Sequence, residues 1–391
     1  MSWQSKSLDE LGYVSRGRSR HRPRDAAHLY GGPYPFIQTG DVKHANLYIT
    51  DYNQTYSEAG LAQSKMWKAG TLCITIAANI ADTAILRIDA CFPDSVIGFI
   101  PDQNKSDARF IKYLFDALLQ RQYKTFTQGA AQDNLSQSKL LSLKFPVPRL
   151  DEQKRVADIL SAYDDLIENN RRRIQLLEQA ARLLYKEWFV HLRFPGHEHV
   201  KITNGVPEGW EKKPLSEIAD ITMGQSPKSI YYNEDGNGLP FHQGVTNFGV
   251  RFPSHQTYCT VRNRLAEPGD ILFSVRAPVG RINITTDKIV IGRGLSAIRS
   301  KLGQQNLLFY ALKSHFFKED MMGGGAIFAA ITKKDLHGVN LLQAPDRIAE
   351  MFMEHVRPID LQVENLQRTI DNLTKARDLL LPRLMNGEIA V

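Results

Sequence analysis

Ile167-Glu-Asn-Asn-Arg-Arg-Arg-Ile-Gln-Leu-Leu-Glu-Gln-Ala-Ala-Arg-Leu-Leu184 returns later in the chain, altered but in step. The second copy is Val363-Glu-Asn-Leu-Gln-Arg-Thr-Ile-Asp-Asn-Leu-Thr-Lys-Ala-Arg-Asp-Leu-Leu380. Ile167, Ile174, Leu177 and Leu184 fall on Val363, Ile370, Leu373 and Leu380 with no gap, and Asp164 and Arg172 fall on Asp360 and Arg368. Apolar residues here recur in alternating steps of four and three, the period of a coiled-coil seam. The first seam runs Val156, Leu160, Tyr163, Ile167, Asn170, Ile174, Leu177, Ala181, Leu184, Trp188. The second runs Phe352, Val356, Ile359, Val363, Leu366, Ile370, Leu373, Arg377, Leu380, Leu384. Two long helices with matched faces are expected to pair, antiparallel, with Asn170 and Arg377 as polar positions able to set the register.

Asp151, after Pro146-Val-Pro148, reads as the N-cap of the first helix, and the second starts at Asp346. From Asp151 to about Val190 a helix would extend roughly 60 Å. Pro358 and Pro382 are expected to interrupt the second helix, each with a bend.

Outward from the helices the repeat continues. Trp3, Lys6, Leu8, Glu10 and Gly17 recur as Trp210, Lys213, Leu215, Glu217 and Gly224. Pro35-Phe36-x-Gln38 is answered by Pro240-Phe241-x-Gln243, and Gly129-Ala130 with Leu135-Ser136 by Gly325-Ala326 with Ile331-Thr332. Between these blocks length and identity differ, so one scaffold carries two fillings. The expected fold is α+β: two α/β modules in tandem, each followed by a long helix, the helices pairing as an antiparallel coiled coil. The expected boundaries are 1–150 (module), 151–193 (helix), 194–209 (a Pro/Gly-rich linker), 210–345 (module) and 346–391 (helix and tail).

Composition narrows the function. The 391 residues carry a net charge of +7, and the mean hydropathy of −0.32 is that of a water-soluble chain. The longest apolar stretch, Leu72 to Ala81, is too short to span a bilayer. The N-terminus lacks the apolar core of a signal peptide, and the three cysteines have no CxxC spacing. A cytoplasmic protein with reduced core thiols and no membrane association is expected. The basic balance favours a polyanionic partner, and Arg16, Arg18, Arg20, Arg22 and Arg24 concentrate it in one short run.

Catalytic constellations are missing from the sequence. It has no GxxxxGK[ST], no GxGxxG after a strand and no amino-methyltransferase motif. His197-Glu198-His199 lacks the further ligands of a metal site, and Gly323-Gly324-Gly325 reads as a turn. The chain therefore reads as a binding protein with no metal, no cofactor and no catalytic residue of its own.

At this point the chain resembles the specificity subunit of type I restriction–modification systems. The marks are the duplicated module opening at Trp3 and Trp210, "GAAQDNLSQSKLLSLKFPVPRLDEQKRVADIL" (129–160), "LLYKEWFVHLRFPGHEHVKITNGVPEGW" (183–210) and "LLLPRLMNGEIAV" (379–391). One departure is that the second module reads "LLQAPDRIAEMF" where the first has its double-proline approach to the helix.

The resemblance implies two target-recognition domains reading the halves of a split, asymmetric double-stranded DNA site. It also implies a helix pair that sets the spacer and docks two methyltransferase subunits, joined by restriction subunits. S-adenosylmethionine, ATP and Mg would belong to those partners. DNA-contact candidates in the first module are Arg16, Arg18, Arg20, Arg22, Gln38, Lys43, Ser64 and Lys65. In the second they are Gln225, Lys228, Tyr231, His242, Gln243, Asn247, Arg276 and Arg281. Each also admits an ordinary surface or structural role; Gln38 and Gln243, sharing a repeat position, point to a common structural job. Two other readings stay open: a modification-only assembly, and a coiled-coil scaffold whose basic loop meets RNA or another acidic partner.

Overall fold

A computed structural model describes residues 3–77, 80–126, 135–316 and 330–391. The Gly129-Ala130, Gly323-Gly324-Gly325 and Gly325-Ala326 readings lie outside them. The chain divides into two compact units, Met1–Arg172 with Leu366–Val391, and Arg173–Asn365.

In the first unit a five-stranded sheet has the order Gly12–Arg16, Val96–Pro101, Leu72–Thr75, Thr83–Leu86, Tyr48–Ile49. The inner strands are buried throughout (LCIT and TAIL), as expected where both faces are covered. The helix Ala108–Phe126 lays Phe110, Ile111, Leu114 and Phe115 on this sheet, all fully buried. A second sheet joins Gln54–Tyr56, Tyr30–Phe36, Ala90–Cys91 and Met66–Trp67.

The second unit repeats the plan with different lengths. Ala219–Met223, Leu295–Ser300, Ile271–Ser274 and Ile282–Ile284 form its main sheet, and Gln305–Phe316 is its domain helix. The corresponding registers agree, Phe99 lying opposite Val14 and Ile298 opposite Ile221.

The first long helix spans Leu150–Tyr185 and ends in a π-helical turn, Lys186–Val190. Asp151 thus lies in its first turn and does not cap it. The second spans Asp346–Met385 without a break, which corrects the expected interruptions. Pro358 is exposed, as is Glu354 one turn earlier, and the same holds for Asp378 before the half-buried Pro382. The carbonyls that lose a donor there belong to exposed residues, while buried Val356, Val363 and Ile370 hold the apolar face.

Each unit contains one end of each helix, and the ends run antiparallel. In the first, Arg377 meets Asp164, and Leu384 and Met385 join Val156, Ala157 and Leu160 in the domain core. In the second, Tyr185 and Trp188 pack edge-on against Phe352, with Ala181 and Phe189 in the same core. Seam positions Leu160, Ile167, Asn170, Ile174, Val363, Leu366 and Ile370 are buried. Leu177, Leu184, Leu373 and Leu380 are only half-buried. The buried line passes one residue to the side of Tyr163 and Leu177, through Asp164 and Glu178.

Both displaced carboxylates are neutralised. Asp164 accepts from the Tyr113 hydroxyl and from Arg377. In the second unit the guanidinium of Arg251, only 2% exposed, donates to Glu178 and Asp360 and, at 2.8 Å, to the Tyr310 hydroxyl. Tyr310 donates onward to Asp360 at 2.6 Å, and Lys313 meets Glu178 at 3.1 Å. Burial on its own raises the pKa of Glu178, but Arg251 and then Lys313 outweigh it, leaving the carboxyl below its ordinary range.

The stretch 194–209, expected as a linker, packs partly on the second unit. Phe194 packs against Trp210 at a tilt inside the core, and Ile202–Thr203 pairs with Val206–Pro207 as a small hairpin.

Candidate nucleic-acid interface

Both domains carry an exposed segment just after the first strand of the main sheet, and its backbone is held the same way in each. Gly17 N–H donates to the Val96 carbonyl (2.8 Å) and Arg18 N–H to that of Phe92 (3.0 Å). Gly224 donates to Leu295 (2.9 Å) and Gln225 to Ile291 (3.0 Å). A Cβ on Gly17 would lie 2.4 Å from the Phe92 carbonyl oxygen, and one on Gly224 2.1 Å from that of Gly292. Only glycine permits this approach.

In the first domain this segment is an arginine loop held by several side-chain bonds. The Gln63 carboxamide oxygen accepts from Arg20 N (2.6 Å) and His21 N (3.0 Å), and the Ser64 hydroxyl donates to the Arg18 carbonyl (2.8 Å). Arg22 stitches the loop by donating to the Ser19 and His21 carbonyls, and Arg16 donates to the Asp94 carbonyl at 2.8 Å. Arg24 pairs with the Asp94 carboxylate. Among the described residues, the guanidinium groups of Arg18 and Arg20 have no acceptor within the protein. They point the run's charge outward.

Lys65 lies 3.8 Å from the Trp67 ring centroid and 4.8 Å from that of Tyr13, beside the loop. Tyr13 is 54% exposed, an aromatic surface beside Lys65 that sequence reasoning missed because it reads as an ordinary strand residue. Ser64, a contact candidate, is buried under the loop and supports it through that bond. Lys43 is exposed but engaged within the protein. Gln38 N-caps Thr39–His44 and donates to Gln54.

In the second domain Gln225, Lys228 and Tyr231 lie exposed along one segment, which Tyr232 braces through its bond to the Pro227 carbonyl (2.8 Å). Ser226 donates to the Gln243 carboxamide at 2.7 Å, and Arg293 N–H donates to Ser226 at 3.1 Å. Arg293 escaped sequence reasoning because only the fold carries it to this edge. Gln243 therefore bonds across the edge whereas Gln38 caps a helix, so their shared repeat position does not carry a common local job.

His242 is also corrected: it is buried, bonded to His255 at 2.9 Å, which in turn meets Asp287 at 3.1 Å. Burial, then the neighbouring His255, push its pKa down to about 4. Asn247 is half-buried, on the loop that ends in Arg251. Arg276 and Arg281 are exposed at a turn that the Ser274 hydroxyl closes.

Among the described residues, no group of three or more His, Cys, Asp or Glu is placed to hold a metal ion. No helix there is long and apolar enough to cross a membrane. Cys73, Cys91 and Cys259 are free and buried.

Comparison with known proteins adds an independent line. Residues 1–179 and 207–341 match the family profile described as type I restriction modification DNA specificity domain. A protein of Methanocaldococcus jannaschii described as the MjaX specificity subunit of a type I restriction enzyme is 35% identical over 298 residues, 74% of this chain and 70% of that protein. The MjaIX specificity subunit of the same organism is 26% identical, covering 100% of this chain and 94% of that one. The solved S subunit of a type I restriction–modification system from M. genitalium shares the fold, with a TM-score of 0.61, 16% identity, and 98% and 96% coverage.

Proposed function

The chain belongs to the type I restriction–modification DNA specificity family, and from that premise we propose that it reads a split, asymmetric site in double-stranded DNA and carries methyltransferase subunits to it. The observation behind this reading is the repeat itself: two edges with the same backbone bonds, closed by the same glycine, present different exposed side chains. Phosphate contacts by Arg20 and Lys65 supply affinity and salt dependence, and side chains reaching base edges supply sequence. The long helices set the spacer. Leu183 and Leu379, at the same repeat position, are 49% and 69% exposed. They offer matching apolar contacts to two copies of one methyltransferase subunit, while restriction subunits complete the assembly.

Catalysis rests with those partners, as do S-adenosylmethionine, ATP and Mg, and the complex works in the cytoplasm. The test is modified-base sequencing of a host expressing the methyltransferase with and without this chain. A two-part adenine-methylated motif present only with the chain is expected. Methylation independent of the chain would return the scaffold reading to first place.

A further inference from the structure

Resting on the DNA-reading role above, we infer that Arg18 and Gln225 are the matched base-reading residues of the two domains, Arg18 for a guanine and Gln225 for an adenine. They occupy one repeat position, immediately after Gly17 and Gly224. Their backbone N–H groups make equivalent bonds, to Phe92 and Ile291. Both glycines lie too close to neighbouring backbone to accept a Cβ, so each domain fixes the direction in which its next residue leaves the sheet.

Both side chains are exposed and, among the described residues, neither has a hydrogen-bond partner in the protein. Each is bordered by a polar clamp that restrains the segment: Gln63 and Ser64 in the first domain, Ser226, Gln243 and Arg293 in the second. A preformed position with an unspent hydrogen-bonding head suits base readout, because little ordering remains to be done on binding. The heads differ in kind. Guanidinium offers two parallel donors, which fit O6 and N7 of guanine. Carboxamide offers a donor and an acceptor, which fit N6 and N7 of adenine.

The test is modified-base sequencing of DNA from a host without adenine methylation of its own, expressing this chain together with its methyltransferase. The wild type must first yield a two-part motif; failure there removes the function proposed above, not this assignment. Given that motif, Arg18→Ala should relax one guanine position in one half, with discrimination falling roughly five- to hundredfold, and leave the other half intact. Gln225→Ala should do the same to one adenine of the other half. Arg18→Gln should move its position from guanine towards adenine. Both are surface residues, and equal thermal stability of the variants shows that folding is not what changed. Uniformly weaker methylation with an unchanged motif would make Arg18 a phosphate contact and overturn the assignment. Altered preference in both halves from one substitution would overturn it as well.

Discussion

Asp164 and Asp360 stand at one point of the repeated helices, and each takes a hydroxyl from a domain-helix tyrosine, Tyr113 or Tyr310. Their arginines come from different places. For Asp164 the cation is Arg377, on the facing long helix. For Asp360 it is Arg251, on a loop of the recognition domain, and it holds Glu178 of the first helix at the same time. The repeat position of Arg377 is Ala181, buried against the domain core, and that of Glu178 is Thr374. The scaffold thus preserves the requirement that a buried carboxylate be neutralised, while the source of the cation differs. One consequence is mechanical. In the second unit the loop that starts at Gln243 on the exposed edge ends, at Arg251, between the two helices, so that edge and the helix pair share a short tether.

Arg251→Met should have the largest effect. It leaves the buried Glu178 and the half-buried Asp360 with their main counter-charge gone, and removing one partner of a buried pair costs about 3–5 kcal/mol. Urea unfolding measures the loss. Restoring much of it by adding Glu178→Gln to Arg251→Met is expected, because the second change removes one of the stranded charges. A loss under about 1 kcal/mol would mean that the cluster behaves like a surface pair.

That cluster also marks where sequence reading stops. The helix seams were legible because helical periodicity is local: Ile167, Ile174, Val363 and Ile370 are read from their neighbours alone. The same logic placed Tyr163 and Leu177 in the seam, since an apolar residue is the default choice beside a charged one. Tertiary partners reversed it, Arg377 and Arg251 making Asp164 and Glu178 cheaper to bury than their position in the pattern implies. Among the candidate contact residues, the exposure of Arg18, Arg20 and Gln225 was legible from side-chain type. The buried Ser64 and His242 were not, and neither were Gln63, Tyr13 and Arg293, because each acquires its role from a strand or loop distant in sequence. The two helix prolines mislead for a related reason: their cost depends on which face the orphaned carbonyl turns to water.

A second difference between the units concerns acid. The repeat position of His242 is Ile37, fully buried in the first domain. His242 titrates near 4 in the folded chain and near 6.5 when unfolded. The folded value is the lower one, so the stabilising contribution is whole above pH 6.5 and fades as protons bind the unfolded chain. By linkage the second unit should lose about 2 kcal/mol at pH 5 and about 3 at pH 4 from this residue alone. His242→Ile, which copies the first domain, should flatten that part of the pH profile of unfolding relative to wild type. Parallel profiles for the two proteins would show that His242 takes up its proton equally well folded and unfolded.

Arg377→Met is expected to be the mildest, at about 1–2 kcal/mol, although it removes the same kind of ion pair. The Arg377 side chain is 24% exposed against 2% for Arg251, so water reaches the cation of this pair, although the Asp164 carboxylate is only 3% exposed. Each aspartate keeps its tyrosine hydroxyl, from Tyr113 or Tyr310, but Arg251→Met takes the guanidinium from two carboxylates at once, leaving Glu178 with Lys313 alone. Asp164→Asn in the Arg377→Met background should then cost little more, since a neutral amide needs no counter-charge and still accepts from Tyr113. The comparison between the clusters turns on this measurement. If Arg377→Met proved as costly as Arg251→Met, exposure and the number of carboxylates served would not be what separates them, and the loop-borne arginine would hold no stronger grip than the helix-borne one.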